Sequence, residues 1–202
     1  MILIEPWLAS RIPLRDNAGS GRHRTTACGS SARRGDHAAW ETLFRRYQLP
    51  LHVYVFELAR QEQLSLDLVQ ETFIAAVKHA GVLRDEARFG GWLFRIAHQK
   101  VLQHWRRRQE VLVEEIPEAA DDLEDGPDEL LIRQESEARF MELLERLPAP
   151  QRSVLLLHFI EEFPLDEIAR ISGTQTGTVK SRLHYAKKSL RKLLEAGNEN
   201  AA

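Results

Sequence analysis

Near its carboxyl end, this 202-residue chain concentrates side chains suited to binding nucleic acid. Residues 180–192 include six lysine or arginine side chains and no acidic one. Arg182 and the nearby Gln175 can each form paired hydrogen bonds with base edges, a contact that contributes about 1–3 kcal/mol of discrimination between bases. Compact ammonium groups suit phosphates instead, where they add affinity that is independent of base sequence. We assign that second role to Lys180, Lys187 and Lys188.

The pattern around these residues predicts a helix-turn-helix motif. Residues 165–171 have the spacing of a short amphipathic helix, Ser172 and Gly173 interrupt it, and a second helix follows over residues 176–194. Apolar residues of the second helix recur every three or four positions and are predicted to face the core: Val179, Leu183, Ala186, Leu190 and Leu193. The opposite face would enter the major groove, as recognition helices do. The predicted DNA-binding set is Gln175, Thr176, Thr178, Lys180, Ser181, Arg182, His184, Tyr185 and Lys188.

The net charge of −2 conceals a separation of charge along the chain. From Glu110 to Glu137 there are 12 acidic residues and a single basic one, Arg133. Such a segment repels itself and buries little apolar surface, so we predict a flexible acidic linker. Basic segments on both sides favour polyanion binding at two places, although solvated helix faces are an alternative explanation. The predicted organisation is a disordered basic tail, a helical domain, the acidic linker and a second helical domain, at residues 1–32, 33–108, 109–135 and 136–195.

Apolar periodicity predicts three helices in the first domain, with a kink at Pro50 in the first of them. The apolar stripe of the first helix is Trp40, Leu43, Phe44, Tyr47, Leu51, Tyr54 and Leu58. The inward residues of the next two helices are Val69, Phe73, Ala76 and Ala80, then Phe94, Ala97, Val101 and Trp105. The outward face of the second helix carries Asp67, Glu71 and Lys78, with Gln70 at its edge. The third helix presents a polar, partly basic row of Arg95, Gln99, Gln103 and Arg106.

Three short stretches of the chain form a recognisable set. They are residues 67–73 (DLVQETF), 91–97 (GWLFRIA) and 177–184 (GTVKSRLH). In sequence, order and spacing they resemble the signature stretches of the extracytoplasmic-function subfamily of bacterial RNA polymerase sigma factors. The resemblance extends over residues 33–195. It implies an all-α fold class with two small helical domains, a region-two bundle and a region-four helix-turn-helix, joined by the acidic linker.

The resemblance also implies a function, that of a sigma factor that binds RNA polymerase core and directs promoter-specific initiation. The side chains expected to dock on the clamp coiled coil of the largest polymerase subunit are Asp67, Leu68, Gln70 and Glu71. Those expected to open and read the single-stranded minus-ten element are Arg84, Arg88, Phe89, Arg95, Gln99, Gln103 and Arg106. Region four is expected to read the duplex minus-thirty-five element of promoter DNA through its recognition helix. An anti-sigma factor is expected as a further partner.

Some positions depart from the family pattern. His98 and Gln99 stand where relatives commonly carry Arg and Asn in the promoter-reading helix, so the base preference of those relatives is not transferred to this chain. Pro164 stands where a Ser or Thr cap is usual, so the first helix of the motif is expected to use a proline at its start instead.

Composition disfavours other classes of function. Cys28 is the single cysteine, so the chain can build neither a disulfide framework nor a cysteine-rich zinc site. The eight histidines are scattered, and neither a His-Glu-x-x-His pattern nor a phosphate-binding loop occurs. We therefore predict that the chain is not an enzyme and binds no metal or cofactor. Glu5 and Pro6 interrupt the apolar start, and no later run approaches the roughly 20 apolar residues of a membrane helix, which predicts a cytoplasmic protein without a membrane span.

A stand-alone helix-turn-helix transcription regulator is the alternative function, with the first domain serving as a sensor or dimerisation module. Such a regulator would bind duplex DNA unaided, whereas a sigma factor of this type is expected to bind promoters tightly only together with polymerase core. The stretches at residues 67–73 and 92–108 favour the sigma factor.

Overall fold

The computed structural model describes residue 32, residues 35–83, residue 85, residues 88–108 and residues 137–199. Every regular element within those residues is a helix, and none of them forms a β-strand. The chain divides into two compact units, in agreement with the predicted fold of two small helical domains. The predicted acidic linker and almost all of the predicted basic tail lie outside the described residues.

Within the described residues, the first unit contains three α-helices. They are α1 (His37–Ala59), α2 (Glu62–His79) and α3 (Phe89–Arg108), with a 3-10 turn at Ala80–Val82 after α2. Asp36 caps the start of α1, because its carboxylate accepts hydrogen bonds from the backbone N–H groups of Ala38 and Ala39 at 2.9 and 3.4 Å. The helix continues through Pro50, where the kink stays a prediction, and ends at Arg60 in the left-handed conformation.

The three helices pack against one another in pairs, and their inward faces follow the apolar periodicity. Buried residues among those predicted are Leu43, Tyr47, Leu51, Tyr54, Leu58, Val69, Phe73, Ala76, Ala80, Phe94, Ala97 and Val101. Trp40 and Trp105 are only partly buried. Phe44 is 43% exposed, and its ring rests on that of Phe73 at a centroid distance of 4.8 Å. Phe44 is a member of the apolar stripe but is not part of the core.

An aromatic cluster joins the start of α3 to α1. The ring of Phe89 lies 6.1 Å from that of Trp40, 5.6 Å from that of Tyr47 and 5.8 Å from that of Trp92. These centroid distances fall in the range in which tilted and edge-to-face aromatic pairs attract each other. A Cβ at Gly90 would lie 3.1 Å from Oη of Tyr47, so the absence of a side chain there allows α1 and α3 to approach closely.

A buried hydrogen bond also links α1 and α3. Oη of Tyr54 lies 2.7 Å from Nδ1 of His98, and the two residues are 1% and 8% exposed. His98 therefore faces the interior, while Gln99, the next residue, is exposed. The departure from the family pattern at position 98 is accommodated by a partner on the neighbouring helix.

Replacing Tyr54 with phenylalanine is expected to lower the free energy of unfolding by about 1–2 kcal/mol, because it removes one hydroxyl and leaves Nδ1 of His98 buried without that partner. Urea unfolding of the purified protein measures the change. Tyr185→Phe is the matched control, since Tyr185 is 38% exposed and its hydroxyl can remain hydrated. Equal stability of the Tyr54 variant and the wild type would contradict the prediction.

Four α-helices lie in the part of the second unit that the structure describes. They are α4 (Glu137–Glu145), α5 (Ala149–Leu155), α6 (Leu165–Ser172) and α7 (Thr176–Glu199). A π-helical turn, Leu156–Ile160, continues α5 beyond the end of its α-helical part. Helix α7 packs against α4 and α5, and Pro148 precedes α5 at its amino end. The core includes Val154, Leu155, Leu156, Leu157, Ile168 and Val179.

The turn between α6 and α7 has the predicted form. Gly173 has φ +67°, a backbone conformation that residues with a side chain rarely adopt. The N–H of Thr174 donates to the carbonyl of Ala169 at 3.0 Å. At the other end of α6, the carbonyl of Pro164 accepts from the N–H of Ile168 at 3.0 Å. Helix α6 therefore ends in a tight turn at Gly173, and α7 begins at Thr176.

Among the residues that the structure describes, no helix combines the length and apolar character needed to cross a membrane.

Candidate nucleic-acid interface

The outward row of α3 is arranged as the periodicity predicts. Its four side chains are all exposed: Arg95, Gln99, Gln103 and Arg106. Spacings of four, four and three residues bring them onto one side of the helix. Two amides and two guanidinium groups can donate hydrogen bonds to bases and phosphates. The predicted orientation is confirmed, and the binding role of the row stays a prediction.

The segment before α3 requires a correction. Phe89 was expected to contact the minus-ten element, but its side chain is 1% exposed and lies in the aromatic cluster with Trp40, Tyr47 and Trp92. A ring enclosed in this way offers no free face on which a base could stack. Arg88 is exposed and pairs with Asp85 at 3.0 Å. Arg84, the remaining candidate, lies outside the described residues.

Helix α2 presents the residues that were predicted to dock on the polymerase. Asp67, Gln70 and Glu71 are exposed, but Leu68 is only 6% exposed. The expectation that Leu68 touches the polymerase directly is therefore corrected: its side chain is part of the core and holds α2 in place. Glu71 also makes an ion pair across to α3, with 2.8 Å between its Oε2 and Nζ of Lys100.

Three exposed apolar residues on α2 were missed at the level of sequence. Leu66, Ile74 and Val77 are 47%, 47% and 54% exposed. With Gln70 they occupy positions separated by four, four and three residues, so the four side chains share one side of the helix. That spacing in the sequence could have identified these residues as one exposed side of the helix. Exposed apolar side chains gathered around a polar one are typical of surfaces that bind other proteins.

Most of the predicted set on the recognition helix α7 is accessible. Gln175, Thr176, Lys180, Tyr185 and Lys188 are exposed, and the partly buried members are Thr178, Ser181, Arg182 and His184. The predicted phosphate contact of Lys187 is corrected, because its side chain is 7% exposed and is not available to a phosphate. Leu193 is only partly buried, and Leu194 takes the core position near this end of the helix.

Comparison with known proteins gives the family of the chain. The family models that match are sigma-70 region 2, over residues 43–111, and sigma-70 region 4, over residues 137–190. A relative named ECF RNA polymerase sigma factor BldN, from Streptomyces coelicolor, is 28% identical over 184 residues, which cover 89% of this chain and 69% of that protein. The chain belongs to the extracytoplasmic-function sigma factors. The region-2 match covers most of the first unit, which the alternative of a stand-alone regulator does not explain.

Further relatives agree with this family. The RNA polymerase sigma-H factor of Pseudomonas aeruginosa is 29% identical over 173 residues, which cover 80% of this sigma factor and 89% of the relative. The solved structure of CnrH in complex with the cytosolic domain of CnrY is 25% identical, with a TM-score of 0.61, over 85% of this chain and 97% of CnrH. As a sigma factor, the protein binds RNA polymerase core and directs initiation at particular promoters.

Proposed function

We propose that the sigma factor divides its work between the two units. The first unit, residues 33–108, docks on polymerase core through α2 and reads the minus-ten element through α3. The second unit, residues 136–195, reads the minus-thirty-five element through α7, and residues 109–135 connect the two. The observation that carries the proposal is the exposed row of Arg95, Gln99, Gln103 and Arg106, which lies on a different helix from the exposed docking residues of α2.

Docking through α2 is supported by the chemistry of its exposed side. Gln70 lies among the exposed apolar side chains of Leu66, Ile74 and Val77, and Asp67 and Glu71 lie beside them. Apolar contacts surrounded by polar groups are the usual composition of a protein interface, in which the centre supplies affinity and the rim supplies orientation. A coiled coil of the polymerase clamp is a partner of suitable shape, because two helical surfaces can interdigitate.

Reading of a single strand by α3 is supported by the hydrogen-bonding capacity of its outward row. Unstacked bases expose edges that amide and guanidinium groups can recognise, and the backbone adds negative charge that Arg95 and Arg106 can meet. Since Phe89 is buried, base discrimination is assigned to Gln99 and Gln103 rather than to stacking on that ring.

The test of the proposed function is run-off transcription with bacterial polymerase core, a pool of genomic promoter fragments and the purified sigma factor. Transcripts that require the added protein support the proposal, and their upstream sequences supply the two promoter elements. Absence of transcription and of co-elution with core, combined with binding to duplex DNA by the protein alone, would contradict it.

Lys180 is expected to act through phosphate rather than through bases. Lys180→Ala should weaken binding of the holoenzyme to promoter duplexes by a similar factor whatever their minus-thirty-five sequence, and should reduce the slope of log affinity against log salt by about 0.9. Fluorescence anisotropy over a series of salt concentrations measures both quantities. Lys192→Ala is the control, since Lys192 is exposed three turns further along α7. A loss confined to one promoter sequence would instead assign Lys180 to base reading.

The proposal includes regulation by an anti-sigma factor in the cytoplasm and no catalytic activity of the sigma factor itself. CnrH, a similar protein of known structure, is in complex with the cytosolic domain of CnrY. Leu66, Ile74 and Val77 offer exposed apolar surface to such a protein. Because those residues also belong to the proposed docking surface for polymerase, an anti-sigma factor bound there would exclude core.

A further inference from the structure

An ion pair links α2, which carries the proposed polymerase-docking residues, to α3, which carries the proposed promoter-reading row. Nζ of Lys100 lies 2.8 Å from Oε2 of Glu71, and the two residues belong to different helices, α3 and α2. The side chain of Lys100 is 20% exposed and that of Glu71 is 59% exposed. By contrast, the pair between Glu41 and Arg45 lies within α1. The pair of Glu71 and Lys100 is therefore a link between helices and is open to water on the glutamate side.

Each partner lies next to groups that have a proposed function. Glu71 is on the exposed side of α2 that is proposed to dock on polymerase. Lys100 follows Gln99 directly, and Gln99 belongs to the row of α3 that is proposed to read the minus-ten strand. A polymerase contact with Glu71 and a phosphate contact with Lys100 would each compete with the ion pair.

We propose that Lys100 is a further promoter-binding residue, held by Glu71 in the free sigma factor and released to a phosphate of the minus-ten strand when Glu71 engages the polymerase. The inference rests on the proposed function of α2 and α3. A lysine suits this exchange because its ammonium is a compact charge on a flexible stem, which can turn from a carboxylate to a phosphate without movement of the helix.

The size of the coupling follows from the exposure of the pair. An ion pair that is partly open to water is worth a factor of about two to five in an equilibrium constant. Coupling between two binding events is reciprocal, so a strand that takes Lys100 also leaves Glu71 more available to the polymerase by the same factor. Each phosphate neutralised on a single strand adds about 0.7 to the salt slope, which is a second and independent signature.

A double-mutant cycle on the free sigma factor tests the restraint by Glu71. The variants are Glu71→Gln, Lys100→Met and the two together, and the probe is a fluorescein-labelled single strand that carries the minus-ten sequence found in the run-off experiment. Glu71→Gln is expected to tighten binding about two- to fivefold and to steepen the salt slope by about 0.7. In the Lys100→Met background the same change should leave the slope unaltered.

Glu41→Gln is the matched control, because it also removes one negative charge and one ion pair but acts within α1. It should leave the salt slope unchanged. An effect of Glu71→Gln that is the same with and without Lys100 would mean that only the general repulsion between glutamate and DNA was relieved, and it would overturn the inference.

A second measurement uses the holoenzyme. Lys100→Met should weaken binding of the minus-ten strand about two- to fivefold and make the salt slope shallower by about 0.7, without weakening binding to core. Lys100→Arg should restore the slope. An unchanged slope in holoenzyme that still forms normally would overturn the inference alone, whereas failure of the wild type to bind core would instead remove the proposed function. Thermal unfolding of every variant is compared with that of the wild type.

Discussion

Replacing Phe89 with alanine is expected to destabilise the first unit by about 3–5 kcal/mol, a large part of the stability of a small helical domain. The ring is 1% exposed and packs against Trp40, Tyr47 and Trp92, so its removal leaves a cavity between α1 and α3 that these stiff neighbours cannot fill. Urea unfolding followed by tryptophan emission measures the effect, because two of the three neighbours are tryptophans.

A matched pair of variants separates burial from residue type. Phe44→Ala removes the same side chain from a position that is 43% exposed and should cost less than about 1 kcal/mol. Phe89→Leu retains apolar volume and should lie between the two alanine variants. Wild-type stability of Phe89→Ala together with loss of single-strand binding would restore the DNA contact that the family resemblance suggested and would contradict the structural role of the ring.

The burial of Phe89 could not be predicted from the sequence. Helical periodicity identified the inward residues of α3 from Phe94 onwards, because a repeating pattern carries that information within one element. Phe89 is the first residue of the helix, ahead of any repeat, and its burial depends on Trp40 and Tyr47, which are more than 40 positions earlier. The family resemblance suggested a DNA contact for this segment, and the packing of the cluster could not be read from it.

Two other corrections, at Lys187 and Leu68, had a signal in the helical spacing of the sequence. Lys187 follows Leu183 by four positions and precedes Leu190 by three, which are core spacings, yet its position in a basic run suggested a phosphate contact. Leu68 follows Ser65 by three positions and precedes Thr72 by four, and both of those residues are buried. In both cases the helical phase was a better guide than residue type or family pattern.

The outward rows were predictable for the same reason that the inward ones were. Once α2 and α3 have one apolar side each, the residues at the remaining phases must face water, and this applies to Gln70 and Gln99 alike. The ion pair of Glu71 and Lys100 and the hydrogen bond of Tyr54 and His98 depend instead on how two helices are turned toward each other. Periodicity within one helix contains no information about that rotation.

Gln70→Ala and Arg182→Ala are expected to have opposite effects on the two activities of the sigma factor. Gln70→Ala should weaken binding to polymerase core about five- to thirtyfold, because the amide lies among exposed apolar side chains and its hydrogen bonds would be made at the centre of the interface. Arg182→Ala should leave core binding intact and reduce the preference for the correct minus-thirty-five element by about 1–3 kcal/mol, since paired hydrogen bonds to a guanine are lost.

The measurements are the affinity for core by fluorescence titration and run-off transcription from a promoter with an intact or a substituted minus-thirty-five element. Gln48→Ala is the control for the first variant, because Gln48 is an exposed glutamine on α1. Arg139→Ala is the control for the second, since Arg139 pairs with Glu142 within α4 and is not one of the predicted DNA-binding residues. Arg182 is partly buried, so unfolding of its variant must be measured alongside. Equal loss of core binding and promoter preference in either variant, with the fold intact, would contradict the division of labour between α2 and α7.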